Sequence, residues 1–456
     1  MLTDAIDGYG VYSNRNLKEF IYSLEQRFPV CDEVEFFSQL VNFSKNREIP
    51  YHGWFQYREG YSYALVRELL KRSKIKHSEY VLDPFCGSGT TIVEAARNGY
   101  SGLGMDINPM SAFLSRVKCQ SYSDAEVDAI HVLLQKLPEI ARREKTSYEY
   151  IKKYQEVKKF FNEHNFTRLL AVRQAIDSKK EQMGQKLYEL CLCAYICIIE
   201  EVSDRKRDGN GLKTQLSRIS DVEGFFAAKL EKMAEDISQN RISEKVVSVL
   251  EYGNAMKLSE AAEQYSGRIQ KPLGAIVYSP PYANSFDYFE SYKMEVILAD
   301  YAGNMKDIST YRHQAVESFI GRLEQRNKNR EFVEWMSKEI EEAIPEKEAR
   351  TGKTDVRTRK VPKMIKGYFN DMENVISESS KVLGTGKKCY IVVDQSAYLG
   401  RIVPTDLFLA AIGECYQFRV TDIIVCRIAK TSSQQIQLYP YLKDSLRESI
   451  VVLEKM

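Results

Sequence analysis

Tryptophan and histidine are scarce in this chain, with two of the former and five of the latter in 456 residues. Nine cysteines are present, but they lack metal-ligand spacing. Cys191, Cys193 and Cys197 fall in the apolar helical run LCLCAYICII with no histidine beside them. They read as buried small side chains, and no metal is expected. Charge of one sign is missing too. The 65 Lys and Arg nearly cancel the 63 Asp and Glu, for a net charge of +2. That excludes a uniformly basic nucleic-acid binder and confines any such footprint to local patches. The longest apolar run, residues 191–199, is too short to span a bilayer. The start, MLTDAIDGYG, has neither a basic n-region nor an apolar h-region. No membrane association and a reducing, cytoplasmic setting are expected.

What is present suits a catalytic domain with substantial insertions: 44% apolar residues and 29 tyrosines, whose polar-tipped rings fit base stacking and core edges alike. Residues 81–106, VLDPFCGSGTTIVEAARNGYSGLGMD, carry the strongest signal. Val81 and Leu82 close a short strand that Asp83 and Pro84 stop. Gly87 and Gly89 let the backbone turn tightly and approach a ligand. Ile92, Val93, Ala95 and Ala96 recur at helical spacing to Asn98, with Gly99 as C-cap. A second strand then ends at Asp106, where a carboxylate suits ribose hydroxyls of a nucleoside cofactor.

Further along, residues 275–278, AIVY, form an apolar strand, and Ser279-Pro280-Pro281-Tyr282 follows it. Two prolines remove two backbone donors and fix the path, leaving carbonyls unpaired beside an aromatic ring. Such a corner suits an amino group on a flat ring: the carbonyls accept its hydrogens and Tyr282 stacks on the ring.

DPFCGSGTT and SPPY together resemble the cofactor and catalytic loops of DNA methyltransferases that use S-adenosylmethionine to methylate exocyclic amino groups. The resemblance covers residues 51–118, 245–300 and 367–456. It implies an α/β, class I methyltransferase (Rossmann-like) fold, with a mostly parallel seven-stranded sheet and large helical insertions. It also implies catalytic roles for Ser279, Pro280, Pro281 and Tyr282. Cofactor contacts are implied for Asp83, Pro84, Phe85, Cys86, Gly87, Ser88, Gly89, Thr90, Asp106, Ile107 and Asn108. The aromatic stretch 53–62 corresponds to a lid over the methionine end of the cofactor, with Tyr57 and Ser62 as contacts, or to an aromatic lid that only packs on the sheet. Asn254 stands where the family commonly has an Asp that meets the adenine amino group. The family's tetrapeptide begins with Asp or Asn in most adenine-N6 enzymes and often with Ser in cytosine-N4 enzymes. Ser279 therefore points to cytosine N4. No cysteine follows a proline as in cytosine-C5 enzymes, so covalent attack on the base has no candidate.

The expected order is an N-terminal helical arm (1–50), a cofactor-binding half of the core (51–118), a helical insertion (119–243), a catalytic-loop part (244–300), a basic helical insertion (301–366) and a C-terminal part of the core (367–456). Within the first insertion, residues 122–240 show no convincing strand. Arg205, Arg207 and Lys213 lie in a basic Gly-rich loop that fits DNA phosphates or a plain solvated turn. Residues 286–301 read as a helix. Residues 345–366 hold eight Lys and Arg against three Asp and Glu; Arg357, Arg359, Lys360 and Lys363 fit DNA contacts or a disordered solvated loop, and residues 350–353 read as mobile. The implied partners are double-stranded DNA and a cognate restriction endonuclease; the oligomeric state is not readable. Three alternatives stay open: an adenine-N6 DNA enzyme, an RNA amino-methyltransferase, and a non-catalytic subunit that binds nucleic acid.

Overall fold

The computed structural model describes residues 12–58, 60–209, 211–321, 330–352, 354–429 and 431–456. Among them are twelve strands: β1 Val30–Asp32, β2 Tyr80–Asp83, β3 Ser101–Asp106, β4 Arg205–Asp208, β5 Gly211–Thr214, β6 Ser248–Tyr252, β7 Leu273–Tyr278, β8 Lys388–Asp394, β9 Ser396–Tyr398, β10 Arg401–Val403, β11 Phe418–Ile428 and β12 Arg447–Lys455. Eight form one sheet in the order β1-β11-β12-β8-β7-β2-β3-β6. Strands β8, β7, β2, β3 and β6 run parallel. β12 lies antiparallel between β8 and β11.

The sheet is buried on both faces, which is why its parallel strands are near-continuous apolar runs; all six residues of β7 are buried. Val81, Ala275, Val277, Tyr390 and Val392 face one core, which includes the helices of the first insertion. Leu82, Ile276, Tyr278, Ile391 and Val393 face the other, built on the helices Val361–Val382 and Thr405–Glu414. The result is a three-layer α/β arrangement. Strand order reverses between β2 and β7, and ligands bind outside the carboxyl ends of strands at such a switch point.

The sheet has eight strands rather than the expected seven. The additional one, β1, belongs to the segment expected as a helical arm, and it pairs in parallel with β11 at the sheet edge. Three residues are too few to carry a periodicity. The segment 122–240 also holds strands after all: β4 and β5 form an antiparallel hairpin where a Gly-rich loop was expected. Its Asn210 lies outside the described residues, as do Glu59 of the aromatic stretch, Lys353 of the basic stretch and the first eleven residues. The helix expected over 286–301 is confined to Lys293–Leu298, preceded by the single turn Glu290–Tyr292. Arg350 and Thr351, expected in a mobile stretch, close the helix Glu331–Thr351, which Gly352 caps at φ +65°. Among the described residues no helix is long and apolar enough to cross a membrane.

Candidate active site

The turn after β2 and the loop after β7 open into one cavity of about 380 Å³. Its walls bring together ten of the residues singled out in the sequence: Tyr57, Phe85, Gly87, Asp106, Ile107, Asn108, Ser279, Pro280, Pro281 and Tyr282.

The Gly-rich turn depends on positive φ at Gly87 (+49°) and Gly89 (+96°). A Cβ on Gly87 would stand 2.9 Å from Cε1 of Tyr57, so the lid ring closes directly over a bare backbone. Asp106 organises the turn from the end of β3. One carboxylate oxygen accepts from Gly87 N–H and the other from Asn108 N–H, both at 2.8 Å. Burial pushes its pKa up to about 6, with those two hydrogen bonds opposing the rise. Asp83 is fully buried behind the turn, its Oδ1 accepting from Phe85 N–H at 2.9 Å, and burial pushes it up to about 7.

Pro84, Cys86, Ser88, Gly89 and Thr90 do not line the cavity with Phe85 and Gly87; they form the turn and the start of the helix Thr90–Arg97. The sequence reading missed what holds the turn from behind. On the helix Pro109–Lys118, Ser115 Oγ donates to the Gly87 carbonyl at 2.8 Å, and the buried Lys118 Nζ donates to the Ser88 carbonyl at 3.0 Å. Their i, i+3 spacing, which puts both on one helix face, was the available signal.

Two implied contacts lie away from the cavity wall. Asn254 does not line the cavity; its Oδ1 accepts from Met256 N–H at 2.9 Å and its Nδ2 donates to the Gln314 carbonyl at 3.0 Å, so the amide closes a turn beyond β6. Ser62 is the buried N-cap of the helix Tyr63–Ser73, accepting from Ala64 N–H.

The lid is braced by the first insertion. Tyr57 stacks on Tyr292, and Arg58 N–H donates to Tyr292 Oη at 3.1 Å. Arg207 on β4 is buried, not presented to phosphate as expected. It donates to the Ser291 carbonyl at 3.0 Å and pairs with Glu200 and Glu295, and its guanidinium lies 4.4 Å from the Tyr292 ring centre. Arg205 is half-buried beside the Phe160 ring, whereas Lys213 is exposed and pairs with Asp208 at 3.3 Å. In the second insertion Arg357 is exposed and donates to the Ser285 carbonyl at 3.2 Å, just beyond the Ser279–Tyr282 loop. Arg359 is exposed and paired with Glu348, Lys360 is exposed, and Lys363 is half-buried.

In the Ser279–Tyr282 loop, Ser279 Oγ lies 3.1 Å from Tyr282 Oη, and Tyr282 N–H donates to Tyr288 Oη at 3.2 Å. Burial holds the Tyr282 phenol well above its ordinary pKa, so it stays neutral. The sequence reading also missed Asp394, at the end of β8, which lines the same cavity. A carboxylate closing an apolar parallel strand was the signal, the same one that marked Asp106.

Five parallel strands, an antiparallel strand inserted before the last one, and a crevice at the switch point make this the class I methyltransferase fold. S-adenosylmethionine is the methyl donor of that class, and the residues present fit it. The Asp106 oxygens keep lone pairs for ribose hydroxyls, Phe85 and Ile107 offer apolar walls, and Gly87 leaves room under Tyr57.

Residues 14–113 match the family model described as a DNA methylase. The chain is 25% identical to the Type II methyltransferase M.AvaI of Nostoc sp., over 97% of this chain and 94% of that protein. It is also 25% identical to the Type II methyltransferase M.BsoBI of Geobacillus stearothermophilus, over 93% and 90%. A shorter match, 27% identical over 33% of this chain and 28% of the relative, is to the Type II methyltransferase M.MjaII of Methanocaldococcus jannaschii. These matches support an amino-methyltransferase family of the Type II kind, and they do not separate N4 from N6 enzymes.

Proposed function

We propose that this enzyme methylates the N4 amino group of cytosine in duplex DNA, by direct transfer to a base flipped out of the helix. The observation that carries this reading is Ser279: a short hydroxyl, not a carboxylate or amide, stands on the cavity wall 3.1 Å from the Tyr282 phenol. When bound, the donor supplies a methyl already activated on a positively charged sulfur, so the protein's task is alignment. An exocyclic amine conjugated with its ring is a poor nucleophile. Hydrogen bonds accepted by Ser279 Oγ and the Pro280 carbonyl favour a more pyramidal nitrogen with its lone pair turned out of the ring plane. Tyr282 provides the stacking surface, and Pro281 fixes the loop that presents it. The target nitrogen is out of reach inside a duplex, which is the reason for flipping.

Exposed Arg357, which reaches the Ser285 carbonyl just past the Ser279–Tyr282 loop, exposed Lys360 and half-buried Lys363 supply backbone contacts to the duplex, and the first insertion contributes to choice of site. A restriction endonuclease of the same recognition sequence is the proposed partner, by analogy with the Type II relatives. Nucleoside mass spectrometry on DNA from cells expressing the chain tests the base. N4-methylcytosine is expected, and N6-methyladenine as the sole product would overturn the cytosine assignment.

A further inference from the structure

Beyond Tyr282 lies a second cavity of about 240 Å³, walled in part by Gln395, Ser396, Tyr398 and Gln435. It shares Tyr282, Asn284 and Asp394 with the cofactor cavity, but no residue of the Gly-rich turn reaches it. Asp394 thus stands on the divide between the two. It ends β8, the parallel neighbour of β7, whose own end carries the Ser279–Tyr282 loop. Its Oδ1 is buried and has no hydrogen-bond partner. A buried polar atom left in this state costs stability, so it calls for an explanation.

The neighbouring groups do not satisfy it. Glu448, directly opposite on β12, is itself acidic. Arg427, opposite Glu448 on β11, is paired with Glu448. The Tyr282 hydroxyl is within reach of Ser279.

Resting on the proposed amino-methyltransferase reaction, we propose that this second cavity receives the flipped base and that Asp394 reads its edge, pairing with the target amino group and the adjoining ring nitrogen. The charge state suits the task. Burial, reinforced by the negative Glu448 and opposed by Arg427, raises the Asp394 pKa to about 8. A protonated carboxyl offers a donor and an acceptor side by side. Cytosine matches it with N3 as acceptor and N4–H as donor, and adenine does so with N1 and N6–H. Guanine presents N1–H and N2–H, two donors, and requires an ionised carboxylate. Asp394 therefore admits cytosine or adenine and rejects guanine N2. It accepts one amino hydrogen, while Ser279 Oγ and the Pro280 carbonyl, across the divide in the first cavity, share the other as a bifurcated hydrogen bond. Asp394 acts here as a positioning residue.

The test compares Asp394→Ala and Asp394→Asn with the wild type by calorimetric affinity for S-adenosylmethionine, kcat and KM on duplex DNA across neutral to alkaline pH, and nucleoside analysis. Asp394→Ala should lower kcat/KM on DNA by about 10- to 100-fold, the worth of one paired base-edge contact, with cofactor affinity kept. Asp394→Asn retains a donor beside an acceptor and should recover most of that loss. Wild-type activity should fall as the pH rises through about 8, because the donor is lost, and the Asn variant should lack that fall. Full activity in Asp394→Ala overturns the inference. So does an Asn variant as impaired as Ala, because that marks a merely structural carboxyl. A wild type that methylates no amino group overturns the underlying reaction instead, and this inference falls with it.

Discussion

Tyr57 lies flat against Tyr292, with ring centres 4.9 Å apart and planes inclined by 9°. One ring roofs the Gly-rich turn; the other rests on the Arg207 guanidinium of the first insertion. The insertion is therefore part of how the crevice above the Gly-rich turn is closed.

Arg207→Ala should destabilise the protein by about 3–5 kcal/mol, since it leaves the fully buried Glu295 without its cation. Urea denaturation measures this. Calorimetry should show weaker S-adenosylmethionine binding as the lid loses its support. Lys213→Ala, on the same hairpin but with a side chain 53% exposed, should stay within about 0.5 kcal/mol of the wild type.

Gly87→Val should abolish cofactor binding, because a branched side chain at φ +49° is strained and collides with Tyr57. Asp106→Ala should weaken binding and loosen the turn. In the wild type, affinity should fall as the pH drops through about 6, where Asp106 gains a proton and loses acceptor capacity. Calorimetry over a pH series follows the effect; a flat profile would remove Asp106 from the ribose site.

Replacing Arg357, Lys360 and Lys363 with Ala should weaken binding to any duplex and reduce the slope of log affinity against log salt by about 0.9 per lost phosphate contact. An unaltered slope would mean that this surface is only solvated. Arg359 adds less, because Glu348 already holds it.

Much of this site could be read from the chain because its residues are close in sequence. Residues 81–106 contain strand, turn, helix, strand and terminal carboxylate in order, and the structure reproduces them as β2, the helix Thr90–Arg97 and β3. The Ser279–Tyr282 loop follows the fully buried β7 in the same way. What the chain did not reveal depends on distant partners. Arg207 looks like a surface cation until Glu295, 88 residues away, neutralises it. β1 has strand character only because β11 offers it an edge. Residues 286–289 suggest the start of a helix, yet Phe286, Tyr288 and Phe289 line the cavity, with the Phe286 and Tyr288 rings 4.8 Å apart and Phe289 stacked on Tyr311, and the chain there is irregular.

Tyr282→Ala should remove about 1–3 kcal/mol of base stacking, lowering turnover on DNA while cofactor affinity is kept. Equal losses in both would place Tyr282 in the cofactor site instead.

The reaction proposed for this site is transfer of a methyl group to an exocyclic amine of DNA. The most direct measurement incubates the purified protein with duplex DNA and methyl-labelled S-adenosylmethionine, digests the DNA and identifies the labelled nucleoside by mass spectrometry. Label is expected in N4-methylcytosine; label in 5-methylcytosine, or none in DNA, would rule the reaction out.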